Sequence, residues 1–427
     1  MIPALRVRRK YLFYIVAITS TIFSAVTVGM DTLITSRLSE YYPSGEVSWI
    51  YGFNTFFIGL ITTILICLFL SIRVRGRRLG SVIIDPAFDG LRFITKEEFR
   101  YHIFAGLGNA ISTIGYFYVL SLMVDPSAVI PFFRVVILYL LLVEMIAEKN
   151  APTLIEVQSS VIVTLGAILG SISISGNIEI APLAAMFFIV NPGWVLFSIS
   201  QRKLKLLRIN GKPNDSINIR LWNLIFTLVF VTVIMLIHDI STGTSYIADS
   251  LRNCGEILGM VAISTGLTFF AYVLYIRALG MGKASITEAV RASIVIFSIP
   301  VTFIISHIVE IPAPQSAVLW LIKAIGIILV VLGILSFALA QITAYIFIKA
   351  KSGVRIEKLI ERIWKIRGIE SVSAVTGNYD LIAKVRIRTL PKGYERIIRK
   401  LESIPDIYEF RWYSCLLYTS PSPRDRG

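Results

Sequence analysis

The chain has 427 residues, of which 55% are hydrophobic and 16% charged, and its formal net charge is +15. A soluble domain carries about 25% charged residues, so this composition excludes an ordinary soluble enzyme and points to a polytopic membrane protein. Three cysteines, Cys67, Cys254 and Cys415, share no paired spacing, which gives neither a disulfide framework nor a zinc site.

The N-terminus opens on Arg6, Arg8, Arg9 and Lys10, followed by an apolar run to about Leu33. That run exceeds a signal-peptide core and reads as a retained first helix. A helix needs roughly 20 apolar residues to cross a bilayer. Such runs occur at 11–33, 48–72, 101–123, 127–147, 155–175, 181–201, 219–238, 256–279, 284–307 and 316–340, which predicts ten spans. The loop 73–100 carries Arg73, Arg75, Arg77, Arg78, Arg92, Lys96 and Arg100. The loop 202–220 carries Arg202, Lys203, Lys205, Arg208, Lys212 and Arg220, while the opposite loops hold only Arg37 and Arg252. Basic loops stay on the cytoplasmic side. The N-terminus is therefore expected in the cytoplasm, and ten spans return the C-terminal tail to the same side of the cell membrane. Much of the positive charge then reads as topology signal and contact with anionic membrane lipid.

Segments 118–145 and 275–301 align at a shift of 157 residues, which places Tyr118 on Tyr275, Leu122 on Leu279 and Arg134 on Arg291. The spans divide into two sets of five, 1–175 and 181–340. An odd number per set inverts the second relative to the first, a frequent architecture of secondary transporters with a substrate site near the midplane. The segment SLMVDPSAVIPFFRVVILYLLLVE, with Pro131 and Glu144, is one of several that resemble a known family. The others are the glycine-rich VTLGAILGS of the fifth span and NPGWVLFSISQRKL of the sixth. Together they resemble the EamA type of the drug/metabolite transporter superfamily. The resemblance implies an all-α membrane domain of two inverted five-helix repeats and a prokaryotic transporter of a small organic metabolite. The chain departs from the pattern at Glu288, which stands where the first half has Pro131, and in the longer link IVEIPAPQSAVLW.

Charged groups inside spans are costly and usually face a cavity. Arg134 and Arg291 fall in the fourth helix of their halves, and a pair of planar guanidinium forks suits a carboxylate or phosphate. Two readings stand: an anion clamp, or local pairing with an acid, for which Glu288 lies one turn from Arg291. Asn109, Tyr116, Tyr118, Tyr272 and Tyr275 lie on the third helices, as substrate contacts or as interhelical packing. Asn191-Pro192-Gly193-Trp194 reads as a broken helix lining a cavity or as an ordinary proline kink. Asp31 and Lys323 are candidates for coupling protons or ions, placed near the outer interface. Gly166 and Gly170 read as helix packing. GMGKAS (280–285) lacks the spacing of a phosphate loop, and His102, His238 and His307 are scattered. No enzyme chemistry, metal or cofactor is expected.

After the last span the hydrophobic period changes. TAYIFIKAK alternates as a strand, and Ile356, Leu359, Ile360 and Ile363 share a helix face. ESVSAVT and DLIAKVRIR are strands, the latter with Leu381, Ala383, Val385 and Ile387 inward. Tyr394, Ile397, Ile398 and Leu401 share a second helix face, and DIYEFRW is the last strand. The order βαββαβ predicts an α+β ferredoxin-like domain over 342–414. AYIFIKAKSG, TGNYDLIAKV and LESIPDIYEF resemble the ligand-binding and oligomerisation domain of Lrp/AsnC regulators, with Gly377, Tyr379 and Asp380 at its Gly-x-Tyr-Asp motif. The resemblance implies a small-molecule ligand or homodimerisation. The DNA-binding half of such regulators is missing, so no nucleic-acid partner is expected although residues 343–414 hold 15 Lys and Arg against 8 Asp and Glu. CLLYTSPSPRD (415–425) resembles a translated sequencing adaptor, and 415–427 is left out of the fold. The reading is a secondary transporter with a cytoplasmic sensing or dimerising domain; the alternative is a membrane-anchored metabolite receptor without transport.

Overall fold

The computed structural model describes residues 9–122, 133–148, 154–170, 184–209, 211–252, 254–308, 316–339, 341–366, 368–388 and 391–414. Two compact units emerge, 1–150 with 160–334 and 151–159 with 335–427. The first is helical, and the second contains a small antiparallel sheet.

The helices in order are α1 (Arg9–Leu38), α2 (Ser44–Leu70), α3 (Leu79–Ile83), α4 (Lys96–Leu122), α5 (Val136–Glu148), α6 (Leu154–Gly170), α7 (Asn191–Leu206), α8 (Ser216–Thr242), α9 (Tyr246–Arg252), α10 (Cys254–Leu279), α11 (Ala284–Arg291), α12 (Ile294–Ile305) and α13 (Ala317–Leu339). Short hairpins, β1 (Arg73–Val74) with β2 (Arg77–Arg78) and β3 (Arg208–Ile209) with β4 (Lys212–Pro213), join α2 to α3 and α7 to α8. Seven described stretches are long and apolar enough to cross a membrane: Leu12–Leu38, Gly45–Leu70, Lys96–Leu120, Ser216–Thr242, Cys254–Leu279, Ala284–Ile305 and Ala317–Ser336. Their outward faces expose Leu65, Phe69, Ile237, Phe303 and Leu332, an apolar coat suited to lipid. The remaining expected spans, 127–147, 155–175 and 181–201, fall partly outside the described residues, as does Pro131. The described residues therefore do not establish the ten-span count or the inverted repeat.

The core elements of the helical unit meet along α4. Gly108 on α4 and Gly193 on α7 let two backbones touch. A β-carbon at Gly108 would stand 2.6 Å from the Gly193 carbonyl oxygen, and one at Gly193 would stand 2.9 Å from the Gly108 carbonyl oxygen. Glu144 near the end of α5 accepts the Ala284 and Ser285 amides and the Ser285 hydroxyl, at 2.6, 3.3 and 2.5 Å. A carboxylate at the start of α11 meets the orphan N–H groups that every helix N-terminus presents.

In the second unit, β5 (Gln341–Ala350), α14 (Ile356–Trp364), β6 (Ile369–Ala374), β7 (Leu381–Arg388), α15 (Pro391–Glu402) and β8 (Ile407–Ser414) follow the expected βαββαβ order. The sheet runs β6-β7-β5-β8, with every pairing antiparallel. Ile346, Ile348, Leu381, Ala383 and Val385 form the buried side of the sheet, packed with Leu359, Ile363, Ile397 and Leu401 from the two helices. The side chains of Ile387 and Tyr394, expected inward, lie outside the described residues.

Candidate functional site

A cavity of about 130 Å³ opens inside the helical unit. Its polar lining includes Asp31 of α1, Asn109 and Tyr116 of α4, Arg134, Trp194 of α7, Arg220 of α8, Tyr272 of α10 and Arg291 of α11. Thus, whereas Tyr118 and Tyr275 do not line it, Asn109, Tyr116, Arg134, Trp194, Tyr272 and Arg291, all singled out from the sequence, line one space. Glu288 stands directly behind two of them, and Asn191 is buried at the start of α7 outside the lining. Lys323 is outside it too, whereas Asp31, expected near the outer interface, is 6% exposed and faces the cavity.

Three guanidinium groups share this space. Arg134, Arg220 and Arg291 are each 5% exposed or less. Glu288 joins two of them: Arg134 Nη1 donates to one carboxylate oxygen at 3.1 Å and Arg291 Nη1 to the other at 2.9 Å. Trp194 Nε1 donates to the second oxygen at 3.0 Å. The arginines therefore do not face each other across empty space; one acid lies between two bases. Local pairing and a shared positive site coexist, since one carboxylate cannot neutralise two guanidinium groups. Arg291 Nη2 also donates to Ser24 Oγ at 3.0 Å, and its guanidinium lies 4.2 Å from the Tyr275 ring centre.

Sequence reasoning missed Arg220, which was counted as a loop residue. Asp215 caps α8 by accepting the Asn218 amide at 2.8 Å, so the helix starts at Ser216 and Arg220 lies in its second turn. Its guanidinium is 4.2 Å from the Tyr272 ring centre and donates to Asn223 Oδ1 at 3.3 Å. Among the described residues no carboxylate pairs with it. The Nε atoms of all three arginines lack hydrogen-bond partners in the same set. Among the described residues the buried Tyr116 hydroxyl has no hydrogen-bond partner, whereas Asn109 Nδ2 donates to Thr227 Oγ1 at 3.1 Å. The arrangement can accept an anion between amphipathic aromatic walls.

The helix carrying Asn191-Pro192-Gly193-Trp194 is not unwound. A π turn at Met186–Val190 widens it, and Pro192 enters at the first turn of α7. Irregularity falls instead beside the arginines. Arg134 lies in the 3₁₀ turn Phe133–Val135. Past Arg291, Ser293 and Val295 make i→i−3 bonds to Val290 and Ala292, at 3.2 Å each.

Part of the charge assigned to basic loops turns out to be structural. Lys205 Nζ sits 2.5 Å from Asp85 Oδ2, which also accepts the Ser216 amide and hydroxyl at 2.9 and 2.6 Å. Arg92 grips both oxygens of Glu98 at 2.8 and 2.7 Å and donates to Asn214 at 2.6 Å. These bonds stitch the segment between α3 and α4 to the α7–α8 connection. Burial works to raise the Asp85 carboxyl, but Lys205 and Ser216 hold it below its ordinary 3.8.

In the sheet unit, Gly377 takes φ 133° in the turn before β7, a conformation that favours glycine. Asp380 accepts the Ala350 amide at 2.8 Å and so ties that turn to β5. The Tyr379 ring lies 5.5 Å from Phe347, which in turn meets Tyr413 at 5.2 Å. These aromatics lie on the sheet face opposite the helices, because Ala344, Ile346 and Ile348 alternate with them on the buried side.

Residues 343–417 match the family model described as the Lrp/AsnC ligand binding domain. The C-terminal part of the chain is thus a domain of that family, whose members commonly bind small molecules and dimerise. The matched span runs past 414 into the segment that resembles an adaptor. No curated protein matches the chain. A solved structure, a "Crystal structure of protein", aligns with 74% of this chain and 96% of its own at 14% identity and a TM-score of 0.45. A likeness of that size carries no argument about fold or function.

Proposed function

We propose that this chain is a secondary transporter of a small anionic or zwitterionic metabolite, an amino acid or a close chemical relative. It works by alternating access in the cell membrane, and its C-terminal domain regulates or dimerises it on the cytoplasmic side. The observation that carries this reading is the cavity of three buried arginines and the acids Asp31 and Glu288. Three bases against two acids leave the site net positive. Glu288 holds Arg134 and Arg291 in place, and Arg220, over the Tyr272 ring, offers its fork to a carboxylate. The volume of about 130 Å³ is below the roughly 300–1,000 Å³ of drug-sized ligand sites, so the occupant is small.

Further support comes from the EamA-type resemblance and from the aligned arginines, each beside a non-α turn. Irregular backbone beside a cavity is how discontinuous transporter helices present backbone groups to a solute. In this mechanism the two repeats rock about the occupied cavity. The Asp85–Lys205 and Arg92–Glu98–Asn214 contacts separate when the end they close must open. Gln341 of β5 follows Leu339 of α13 after one residue, so ligand binding or pairing in the domain pulls on that helix with little slack. The open aromatic face of Phe347, Tyr379 and Tyr413 suits pairing with a second copy.

The Lrp/AsnC match favours a second reading, a membrane-anchored receptor that senses a metabolite without moving it. Thermal-shift screening of the full chain against amino acids and small organic acids identifies a stabilising ligand, and counterflow of that ligand in proteoliposomes decides. Exchange across the membrane supports transport; stabilisation without exchange supports the receptor.

A further inference from the structure

Two buried carboxylates, Asp31 in the cavity wall and Glu288 behind it, stand in different chemical settings. Glu288 is met by Arg134, Arg291 and the Trp194 indole N–H. The guanidinium and indole groups only donate hydrogen bonds, and two of them carry positive charge, so apart from the nearby Tyr275 hydroxyl this setting favours the ionised acid. Asp31 is different. Its Oδ1 accepts from the Tyr51 hydroxyl at 2.5 Å and from Ser264 Oγ at 2.8 Å. Among the described residues no cation pairs with it, and no hydrogen bond engages Oδ2, although the residue lines the cavity. Hydroxyls both donate and accept, so the same neighbours serve the anion and the neutral acid.

The groups facing Asp31 from the surrounding helices favour this contrast. Tyr51 comes from α2, Tyr116 from α4, and Ser264 and Tyr272 from α10, all hydroxyl-bearing. On α11, Glu288 is shared between Arg291 and Arg134. α12, Ile294–Ile305, carries no titratable side chain. On α10, Ser264 holds Asp31 and Tyr272 backs Arg220. Asp31 Oδ2 is left for another occupant.

We infer that Asp31 is a proton-binding site of the cavity, separate from the arginine cluster, and that its loading and unloading couple substrate movement to a proton gradient. The coupling rests on the transport reading; the proton site does not. In the step, a proton from water adds to Oδ2, giving the neutral acid, and later leaves to water on the other side. No other bond changes. The neutral form removes a charge that is costly to carry through a low-dielectric rearrangement.

Infrared difference spectra of the full chain in lipid membranes, recorded across a pH series, test the site. A carboxylic-acid carbonyl band should appear on acidification and vanish in Asp31→Asn. Tyr51→Phe, which loses one donor to the anion, should keep the band and shift its midpoint to higher pH. A band that survives in Asp31→Asn, or a midpoint that Tyr51→Phe leaves unmoved, overturns the assignment. In proteoliposomes, Asp31→Asn should lose accumulation driven by a pH gradient out of proportion to any change in its substrate counterflow. Unchanged accumulation overturns the coupling. If no solute crosses in any variant while the Asp31 band titrates, the transport reading fails and the proton site stands.

Discussion

Replacing Glu288 by Gln removes one negative charge from a position where two guanidinium groups share it. Glu288 has no solvent exposure, and its donors lie at 2.9, 3.0 and 3.1 Å. Breaking a buried ion pair by removing one partner costs about 3–5 kcal/mol, because the surviving charge stays buried. Two guanidinium groups are stranded here, so Glu288→Gln should lose at least ~3 kcal/mol of that range. Denaturant unfolding in mixed micelles, followed by tryptophan fluorescence, reads the loss. If the cavity accepts anions, acetate or the stabilising ligand should restore part of the stability in the variant and affect the parent less. A variant within ~1 kcal/mol of the parent, outside the usual cost of an unpaired buried charge, would refute the electrostatic reasoning. Loss without anion rescue would make Glu288 a purely structural brace.

Arg220→Gln should fold and weaken ligand binding by tenfold or more, since a hydrogen bond to a charged group contributes roughly 1.5–3 kcal/mol; titration calorimetry measures it. Gly108→Ala pushes a β-carbon to 2.6 Å from the Gly193 carbonyl oxygen and should cost about 1–3 kcal/mol through overpacking, read as a lower melting temperature. The depressed Asp85 carboxyl stabilises the fold above its ordinary value of 3.8, and that contribution fades as pH falls through the lowered folded value. Asp85→Asn should therefore reduce stability at neutral pH and flatten the acid limb of the stability profile. Phe347→Glu on the open sheet face should shift full-length protein from dimer to monomer in light scattering, with the melting temperature little changed.

The sheet domain was largely legible because alternation and helical period both change after the last apolar run. The inward residues Leu381, Ala383 and Val385 are each fully buried. The apolar runs were legible for the same reason, since length and hydropathy act locally. Where charges sit was harder to read. Arg220 was assigned to a loop by its basic neighbours, yet the Asp215 cap starts the helix early enough to bury it. Asp31 lies seven positions from the end of its helix at Leu38, but α2 and α10 close over it through Tyr51 and Ser264. The partnership of Glu288 with Arg134 spans 154 positions and leaves no local pattern. Lys205 and Arg92 counted toward topology, while in the fold they bind Asp85 and Glu98.

Counterflow in proteoliposomes tests the central claim most directly. Vesicles holding full-length protein are loaded with an unlabelled ligand that stabilises it and diluted into the same ligand carrying a label. Alternating access through the arginine-lined cavity predicts transient label uptake that Arg220→Gln reduces strongly at subsaturating ligand. Ligand-stabilised protein that exchanges no label, with Arg220→Gln behaving as the parent, would contradict it.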